Sequence, residues 1–232
     1  MSSLLHKPPI LHGLIPSFSQ GSPSAGDGWT AGNTLIFDGL NDSIDLASAI
    51  PLAGDFTLSM WFNTTTAAQI FLSAAIANKY IAIESATVVT VFLGSYKTYT
   101  VPAMSGWNHL FIVRDGVTTT VYLNGVDEGG QAAGTNNADF DRIGRFHDNT
   151  FYMDGKMDDL YIWDSVIGTL QNSVDIYNSG TPVDPESVIA DATYKYLFNE
   201  STGTNLPDTG AGANNGTLTN FADPDANWVS RL

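Results

Sequence analysis

The residues best suited to chemistry in this chain are its carboxylates, and their spacing argues against hydrolysis. Cleavage of a glycosidic bond takes two carboxyl groups that face each other across the bond, as alternate residues of one strand can provide. Asp158 and Asp159 are adjacent, so a regular strand turns them to opposite faces. No two glutamates fall on one predicted strand; they are Glu84, Glu128, Glu186 and Glu200.

Other catalytic groups are equally sparse. The chain has no cysteine, which excludes disulfides and thiolate metal sites. No nucleophile elbow and no histidine pair at metal-ligand spacing occurs. His109 lies in the predicted strand 107–113, and we interpret it as a structural histidine near a sheet edge. The sequence therefore predicts that the protein is not an enzyme.

Charge narrows the range of partners. The chain of 232 residues has a net charge of −15, and only 14% of its residues are charged. Nine scattered lysines and arginines cannot form the basic stripe that nucleic acid requires. The same acidity disfavours anionic membrane surfaces. We therefore expect neither nucleic acid nor a membrane as a partner.

The elements that position these residues are mostly strands. Residues 56–62 alternate between apolar and other side chains, and Asp115-Gly116 and Asn124-Gly125 are hairpin turn signals. Residues 169–178 carry a helical pattern in which Leu170, Val174 and Tyr177 share one face, and residues 129–138 are expected to form a loop. Further strands are predicted at 34–37, 69–76, 79–85, 87–94, 96–101, 119–123, 142–145, 151–153 and 156–164. The pattern predicts an all-β, two-sheet antiparallel sandwich with one short helix.

Residues 1–33 are rich in proline, glycine and serine, and we interpret them as an extended N-terminal arm. Their apolar residues form no continuous signal-peptide core. They are nevertheless more apolar than a flexible linker needs. Three interpretations stay open: the arm lies along its own domain, it docks on a neighbouring subunit or particle surface, or it is disordered.

Several segments in order resemble laminin-G-like domains of the concanavalin A-type jelly roll. They are residues 35–46, 55–62, 107–124 and 155–167, with the short helix following. Residues 194–218 resemble the opening strand and loop of that family, but here they come last. The resemblance implies a jelly-roll domain over residues 34–232, closed by a C-terminal strand at about 193–220. Tyr194, Tyr196 and Phe198 are expected to face one side, beside the strand at 35–37.

The resemblance also implies a structural calcium ion held by Asp158, with Asp38 as a partner by proximity in the fold. The alternative is that Asp38 caps its own turn and that Asp158 pairs with Lys156 or Arg142. A ligand site on the concave face would draw on aromatic residues. The candidates are Trp61, Tyr96, Tyr99 and Tyr161. Half-buried packing between the sheets would explain these aromatic residues equally well.

Two function classes follow. The first is a non-enzymatic virion protein of a bacteriophage, such as a capsid decoration, head-fibre or tail-associated protein, attached to other virion proteins through residues 1–33. Such a protein would lie on the virion, or outside the cell after lysis, and a homo-oligomer would suit it, although no residue pattern decides this. The second is a lectin-like module that binds host or environmental polysaccharide.

Overall fold

The computed structural model describes residues 32–64 and 66–231. Most of the predicted arm, residues 1–33, therefore lies outside the described residues. None of the described helices is long and apolar enough to cross a membrane. The α-helices are α1 (Leu170–Tyr177) and the single turn α2 (Pro224–Asn227), and two 3₁₀ turns lie at Asn178–Gly180 and Pro185–Ser187. The strands are β1 (Asn33–Asp38), β2 (Ser43–Ile50), β3 (Phe56–Asn63), β4 (Gln69–Ser73), β5 (Lys79–Ser85), β6 (Val88–Leu93), β7 (Tyr96–Thr100), β8 (Trp107–Asp115), β9 (Thr118–Leu123), β10 (Val126–Ala132), β11 (Phe140–Ile143), β12 (Asp154–Asp164), β13 (Tyr194–Tyr196), β14 (Asn205–Leu206), β15 (Gly216–Thr219) and β16 (Trp228–Ser230).

These strands form two antiparallel sheets of eight strands each. The first sheet has the order β10-β9-β8-β3-β12-β1-β16, and β13 also pairs with β12. The second sheet has the order β14-β15-β2-β11-β4-β5-β6-β7. The two sheets pack face to face, so the predicted two-sheet antiparallel sandwich is confirmed.

The main core lies between the sheets and is filled by alternate residues of each strand. In β3, the residues Phe56, Leu58, Met60 and Phe62 all belong to it, as their alternation in the sequence indicated. The residues between them face the other side of the first sheet. Trp61, for example, stacks on a ring of α1 at 5.9 Å between centroids. The first sheet is therefore packed on both faces.

Helix α1 covers the outer face of the first sheet. Thr169 caps its first turn in a reciprocal capping box with Asn172, and Asn178 ends it in the left-handed conformation. The helix buries Ser173 and Ile176. Ile176 joins a second apolar cluster with Phe111, Val113 and Tyr122.

The buried face of α1 differs from the one that the periodicity indicated. Leu170 and Val174 stay exposed, whereas Ser173 and Ile176 face the sheet. An eight-residue helix carries too few apolar positions for their spacing to fix its rotation. The contacts with the sheet fix that rotation instead.

The C-terminal tail contributes strands to both sheets. β13 and β1 pair with the same side of β12, the side that faces away from β3. β13 pairs with residues 160–162 of β12, and β1 pairs with residues 154–157 of β12. The aromatic segment therefore lies end to end with β1 and not beside residues 35–37 as expected, because residues 35–38 pair with β12 and β16 pairs with residues 33–35. β15 pairs with β2 in the second sheet. Tyr196 and Phe198 are buried in the main core, and Tyr194 packs against it.

Two local predictions were wrong. Residues 129–132, predicted as loop, belong to β10, which passes its Gly129-Gly130 pair with a register shift and still pairs with β9. Glycine weakens a strand but tolerates such an irregularity. Residues 151–153, predicted as a strand, instead end the β11–β12 loop. Phe151 has a left-handed backbone with φ 51°, which a continuing strand does not allow.

Candidate functional site

The outer face of the second sheet carries a group of aromatic side chains that no other element covers completely. Strand alternation in β5 sends Ile81 and Ile83 into the core and turns Tyr80, Ala82 and Glu84 to the outside. In the neighbouring strands, register places Phe92 opposite Tyr80, and Tyr96 opposite Phe92. The aromatic side chains of three adjacent strands therefore meet on one face.

Two further rings reach this face from the loop between β11 and β12. The loop is held on β4, because the Ile70 amide donates to the Phe151 carbonyl at 3.2 Å and the Ser73 hydroxyl donates to the Arg145 carbonyl at 2.7 Å. Phe146 lies next to Tyr80, with 5.2 Å between ring centroids. Phe151 follows Phe146 at 6.0 Å.

Together these rings form a continuous aromatic row, which we define as Tyr96, Phe92, Tyr80, Phe146 and Phe151. Successive centroids lie 5.2 to 6.0 Å apart, and the planes meet at 72° to 89°. Such edge-to-face contacts are the arrangement that aromatic pairs prefer. Tyr96 is 45% exposed and Phe151 54% exposed, so both ends of the row are open to ligands.

A depression of about 430 Å³ opens beside the aromatic row. This volume lies within the range of small-molecule sites, which are typically apolar with a few polar groups that orient the ligand. The polar side chains besides Tyr80 are Gln69 and Glu84. The residues that line it are Ala68, Gln69, Ile70, Tyr80, Ala82, Ile83, Glu84, Phe146 and Phe151.

The two polar residues point to opposite sides of the second sheet: Gln69 is in register with the inward-facing Ile83, whereas Glu84 faces outward. Gln69 is only 1% exposed, and its Nε2 donates to the Asp154 carbonyl at 3.2 Å. Its Oε1 is buried and lacks a hydrogen-bond partner among the described residues. Glu84 is exposed and accepts a hydrogen bond from the Tyr96 hydroxyl. Burial, with a smaller effect from Glu84, raises the pKa of Tyr80, which therefore stays a protonated phenol at neutral pH.

Farther along the same face, the charged side chains are paired with one another. Arg145 forms an ion pair with Asp45, and Arg142 lies 2.7 Å from Asp141. Arg142 also donates to the His147 carbonyl at 3.1 Å. The positive charges nearest the depression are therefore neutralised by neighbouring carboxylates.

Of the four aromatic residues named from the sequence, only Tyr96 lies in the aromatic row. Tyr99 is buried in the main core. Trp61 lies under α1, and Tyr161 is buried in a third cluster on the outer side of the first sheet. The missed residues are Phe92, Tyr80, Phe146 and Phe151; the outward parity of Tyr80 and Phe92 in their predicted strands was a signal that could have found two of them.

His109 was expected near a sheet edge, and this prediction was wrong. Its strand, β8, lies between β9 and β3 inside the first sheet. His109 is fully buried beneath Trp61, with 5.0 Å between ring centroids. Its Nε2 lies 2.8 Å from the Ser59 hydroxyl. Burial lowers the pKa of His109 to about 3, so the ring is neutral. A serine and a histidine at this distance resemble a nucleophile and its base, but no substrate reaches them here.

The two adjacent aspartates do converge, contrary to the expectation from a regular strand. β12 shifts register between Asp158 and Tyr161, and Asp159 has φ 47°. This bulge turns both carboxylates towards one guanidinium. Arg231 pairs with Asp158 and lies 3.7 Å from Asp159. The partner of Asp158 is therefore Arg231, rather than Lys156 or Arg142, and all three groups of the cluster are buried.

Asp38 and Asp158 do not fit a shared calcium site. Asp38 accepts hydrogen bonds from the Leu40 and Asn41 amides at 2.8 and 3.3 Å, as a turn cap does. It is in register with Asp154, four residues before Asp158, which places the two about 13 Å apart along the sheet. Among the described residues, no group of three or more histidine or acidic side chains could hold a metal ion. Calcium binding stays a prediction.

Comparisons with known proteins agree with this architecture. A crystal structure of a proposed carbohydrate-binding protein from Bacteroides ovatus superposes with a TM-score of 0.64 at 21% identity, over 82% of this chain and 58% of that chain. The present chain therefore spans less than two thirds of that protein. The heptameric SAP-like pentraxin of Limulus polyphemus gives a TM-score of 0.52 at 18% identity, over 66% of this chain and 85% of that chain. At these identities the likeness shows the fold alone.

Comparison of the sequence with family profiles identifies the family. No curated protein matches the chain, but the family profile of the concanavalin A-like lectin/glucanases matches residues 38–171, which is more than half of it. The matched region runs from the end of β1 into α1 and includes every residue of the aromatic row. This protein is therefore a member of the concanavalin A-like lectin/glucanases superfamily.

Proposed function

We propose that this protein is a non-catalytic glycan-binding module whose ligand contacts the aromatic row and the adjoining depression. The observation that carries the proposal is the set of five rings on the outer face of the second sheet, with Tyr96 and Phe151 exposed at its ends. A contiguous apolar patch that stays exposed to water usually marks a binding site. Sugars suit such a surface, because their C–H faces pack on rings while their hydroxyls bond to nearby polar groups.

The polar groups of the depression support binding without cleavage. Of the described residues that line it, Glu84 alone carries a carboxyl group, whereas glycoside hydrolysis usually takes a pair. The Asp158–Asp159 pair is buried in the ion-pair cluster with Arg231 on the other sheet. Carbohydrate binding is also the role proposed for the similar Bacteroides ovatus protein.

The virion role stays a prediction. It depends on attachment through residues 1–33, of which only two belong to the described part of the chain. No contact among the described residues favours one attachment partner over another. A glycan-binding domain could also serve a particle that recognises a polysaccharide, so the two roles are compatible.

The glycan proposal is tested with Phe151→Ala. Phe151 is exposed and lies in a loop, so its loss leaves the core intact. We expect the variant to bind the best ligand from a glycan array about five- to tenfold more weakly by isothermal titration calorimetry, because a ring contact is worth about 1 kcal/mol.

The matched control is Leu40→Ala. Leu40 is also a large exposed apolar residue, 76% exposed, but it lies in the turn after β1. Its removal should leave glycan affinity unchanged. An array without a bound glycan, or equal losses in both variants, would contradict the proposal.

A further inference from the structure

The floor of the depression consists of two apolar side chains, those of Ile70 and Ala82. Ala82 lies between the inward-facing Ile81 and Ile83, so it faces outward. Ile70 is its partner across β4 and β5 and therefore lies on the same face. The two side chains are 5% and 3% exposed. A ligand in the depression therefore rests on a small apolar base.

One end of this floor is closed by aromatic rings. Tyr80 lies two residues before Ala82 in β5, and Phe92 is opposite it in β6. Phe146 meets Tyr80 from the loop side at 5.2 Å between centroids, and Phe92 meets it from the other side at 5.6 Å. Rings at these distances are in contact, so no sugar ring fits between them. A glycan chain on the floor therefore ends at Tyr80.

From this closed end, the two halves of the aromatic row extend along the strands. Phe151 lies beside the floor, because its carbonyl accepts from the Ile70 amide at 3.2 Å. On the opposite side, Tyr96 starts level with the closed end, and its hydroxyl donates to Glu84. Glu84 lies four residues beyond Tyr80 in β5, which is about 13 Å along the strand. The row therefore curves around the depression on three sides.

The fourth side of the depression is open. Ala68 and Glu84 each lie one residue beyond the paired residues Gln69 and Ile83, at the end away from Tyr80. Both Ala68 and Glu84 line the depression, and both are exposed. The depression is therefore a slot with one entrance, between Ala68 and Glu84.

We propose that this slot holds the terminal unit of a glycan, with the rings of Phe146, Tyr80 and Phe92 as its closed end. The rest of the chain then leaves between Ala68 and Glu84. The ligand class is a free chain end or a side branch of one unit, rather than the interior of a long chain. The inference rests on the proposed glycan-binding function and concerns the same site.

The test compares free and blocked chain ends on the full-length protein. The probes are linear cello-, xylo-, manno- and malto-oligosaccharides, from disaccharide to hexasaccharide. Tetrasaccharides and hexasaccharides are also coupled to a carrier protein, through either the reducing or the non-reducing end. For a series that binds, coupling through one end should raise Kd at least about tenfold, and coupling through the other end should leave it within about threefold.

Chain length gives a second readout in the same series. Units beyond the entrance lie outside the slot, whose volume of about 430 Å³ is that of a small-molecule site. Extension from tetrasaccharide to hexasaccharide should therefore change Kd less than about twofold by isothermal titration calorimetry.

Tyr80→Ala opens the closed end. Tyr80 is half-buried and lies outside the main core, so we expect the variant to fold, which thermal melting checks. Loss of the ring should weaken free oligosaccharides about five- to tenfold. It should also reduce the discrimination against the blocked end by about tenfold, because the chain can now pass. The matched control is Tyr80→Phe, which keeps the ring and should keep the discrimination.

The possible failures are distinguishable. If a bound oligosaccharide keeps its affinity when it is coupled through either end, the slot does not recognise a chain end, although glycan binding stands. Loss of binding with both couplings would contradict a single entrance. If no glycan of these series or of the array binds, the proposed function and this inference both fall.

Discussion

At the scale of single residues, the backbone conformation of Asp159 creates the buried charge cluster of the first sheet. Asp159 adopts a left-handed φ of 47°, and this bulge brings its carboxylate to the same side as that of Asp158. Two buried carboxylates then face one guanidinium, that of Arg231. One positive charge cannot fully compensate two negative charges out of water. The cluster therefore favours a proton on one of the carboxyls.

This cluster predicts a stability that depends on pH. Burial raises the pKa of Asp159 to about 7, although Arg231 and Lys195 oppose the rise and Asp184 adds to it. Burial and then Asp159 also raise the pKa of Asp158, against Arg231. Since the unfolded value is 3.8, the folded chain binds more protons between about pH 4 and pH 7. The contribution of these two carboxyls to the free energy of unfolding should therefore fall as pH rises through this window.

Thermal melting measures this effect. We expect the melting temperature to fall from pH 4.5 to pH 7.5, by about 3 °C for each kcal/mol of stability lost. Asp42, whose pKa is raised to about 6 by burial and by Asp38, acts in the same direction, whereas buried His109, with its pKa lowered to about 3, acts in the opposite direction below about pH 6.5. Asp159→Asn removes one titrating group of the cluster and should flatten the profile. An Asp159→Asn profile that falls as steeply as that of the wild type would contradict the assignment.

Residue-level prediction from sequence succeeds where strand parity alone decides the outcome. The inward set of β3 and the outward position of Tyr96 follow from alternation. It fails where a bulge shifts the parity, as at Asp159. It also fails where a loop returns over a sheet, because the approach of Phe146 and Phe151 to Tyr80 depends on loop closure that no local pattern encodes.

At the scale of elements, the tail joins parts of both sheets. β13 extends the edge of β12, β15 pairs with β2, and β16 covers the outer edge of β1. The contribution of an aromatic C-terminal strand was predictable from its likeness to an opening strand of the family. Its division into four short strands was not, because glycine, asparagine and aspartate fill the connecting segments and leave only brief apolar patterns.

Truncation tests the role of the tail. Deletion of residues 192–232 removes Tyr196, Phe198 and Trp228 from the main core. Each buried side chain of this kind contributes about 1.5 to 3 kcal/mol or more, against a total stability of about 5 to 15 kcal/mol. We expect the truncated chain to lack a cooperative melting transition in circular dichroism.

A mild variant gives the control for this deletion. The Tyr196 hydroxyl donates to the Asn214 carbonyl at 2.7 Å, so Tyr196→Phe should remain folded and lose about 1 kcal/mol. A truncated chain that melts cooperatively would show that the tail is dispensable.

At the scale of the whole molecule, the two outer faces of the sandwich differ in how far other elements cover them. The outer face of the first sheet is packed under α1 and the segment that follows it, with Phe111, Tyr161 and Trp163 in its clusters. The outer face of the second sheet keeps the aromatic row and its depression open. The fold class and the helix were predictable from alternation and turns, whereas the choice of the open face required the complete three-dimensional arrangement.

The measurement that tests the central claim most directly is the mapping of a bound glycan on this surface. Backbone amide shifts of the full chain are compared by nuclear magnetic resonance before and after addition of the best array ligand. The account predicts that shift changes concentrate in β4–β7 and in the loop that carries Phe146 and Phe151, and that Phe151→Ala weakens them. Shift changes centred on α1 or on the edge at β16, with the aromatic row unaffected, would contradict it.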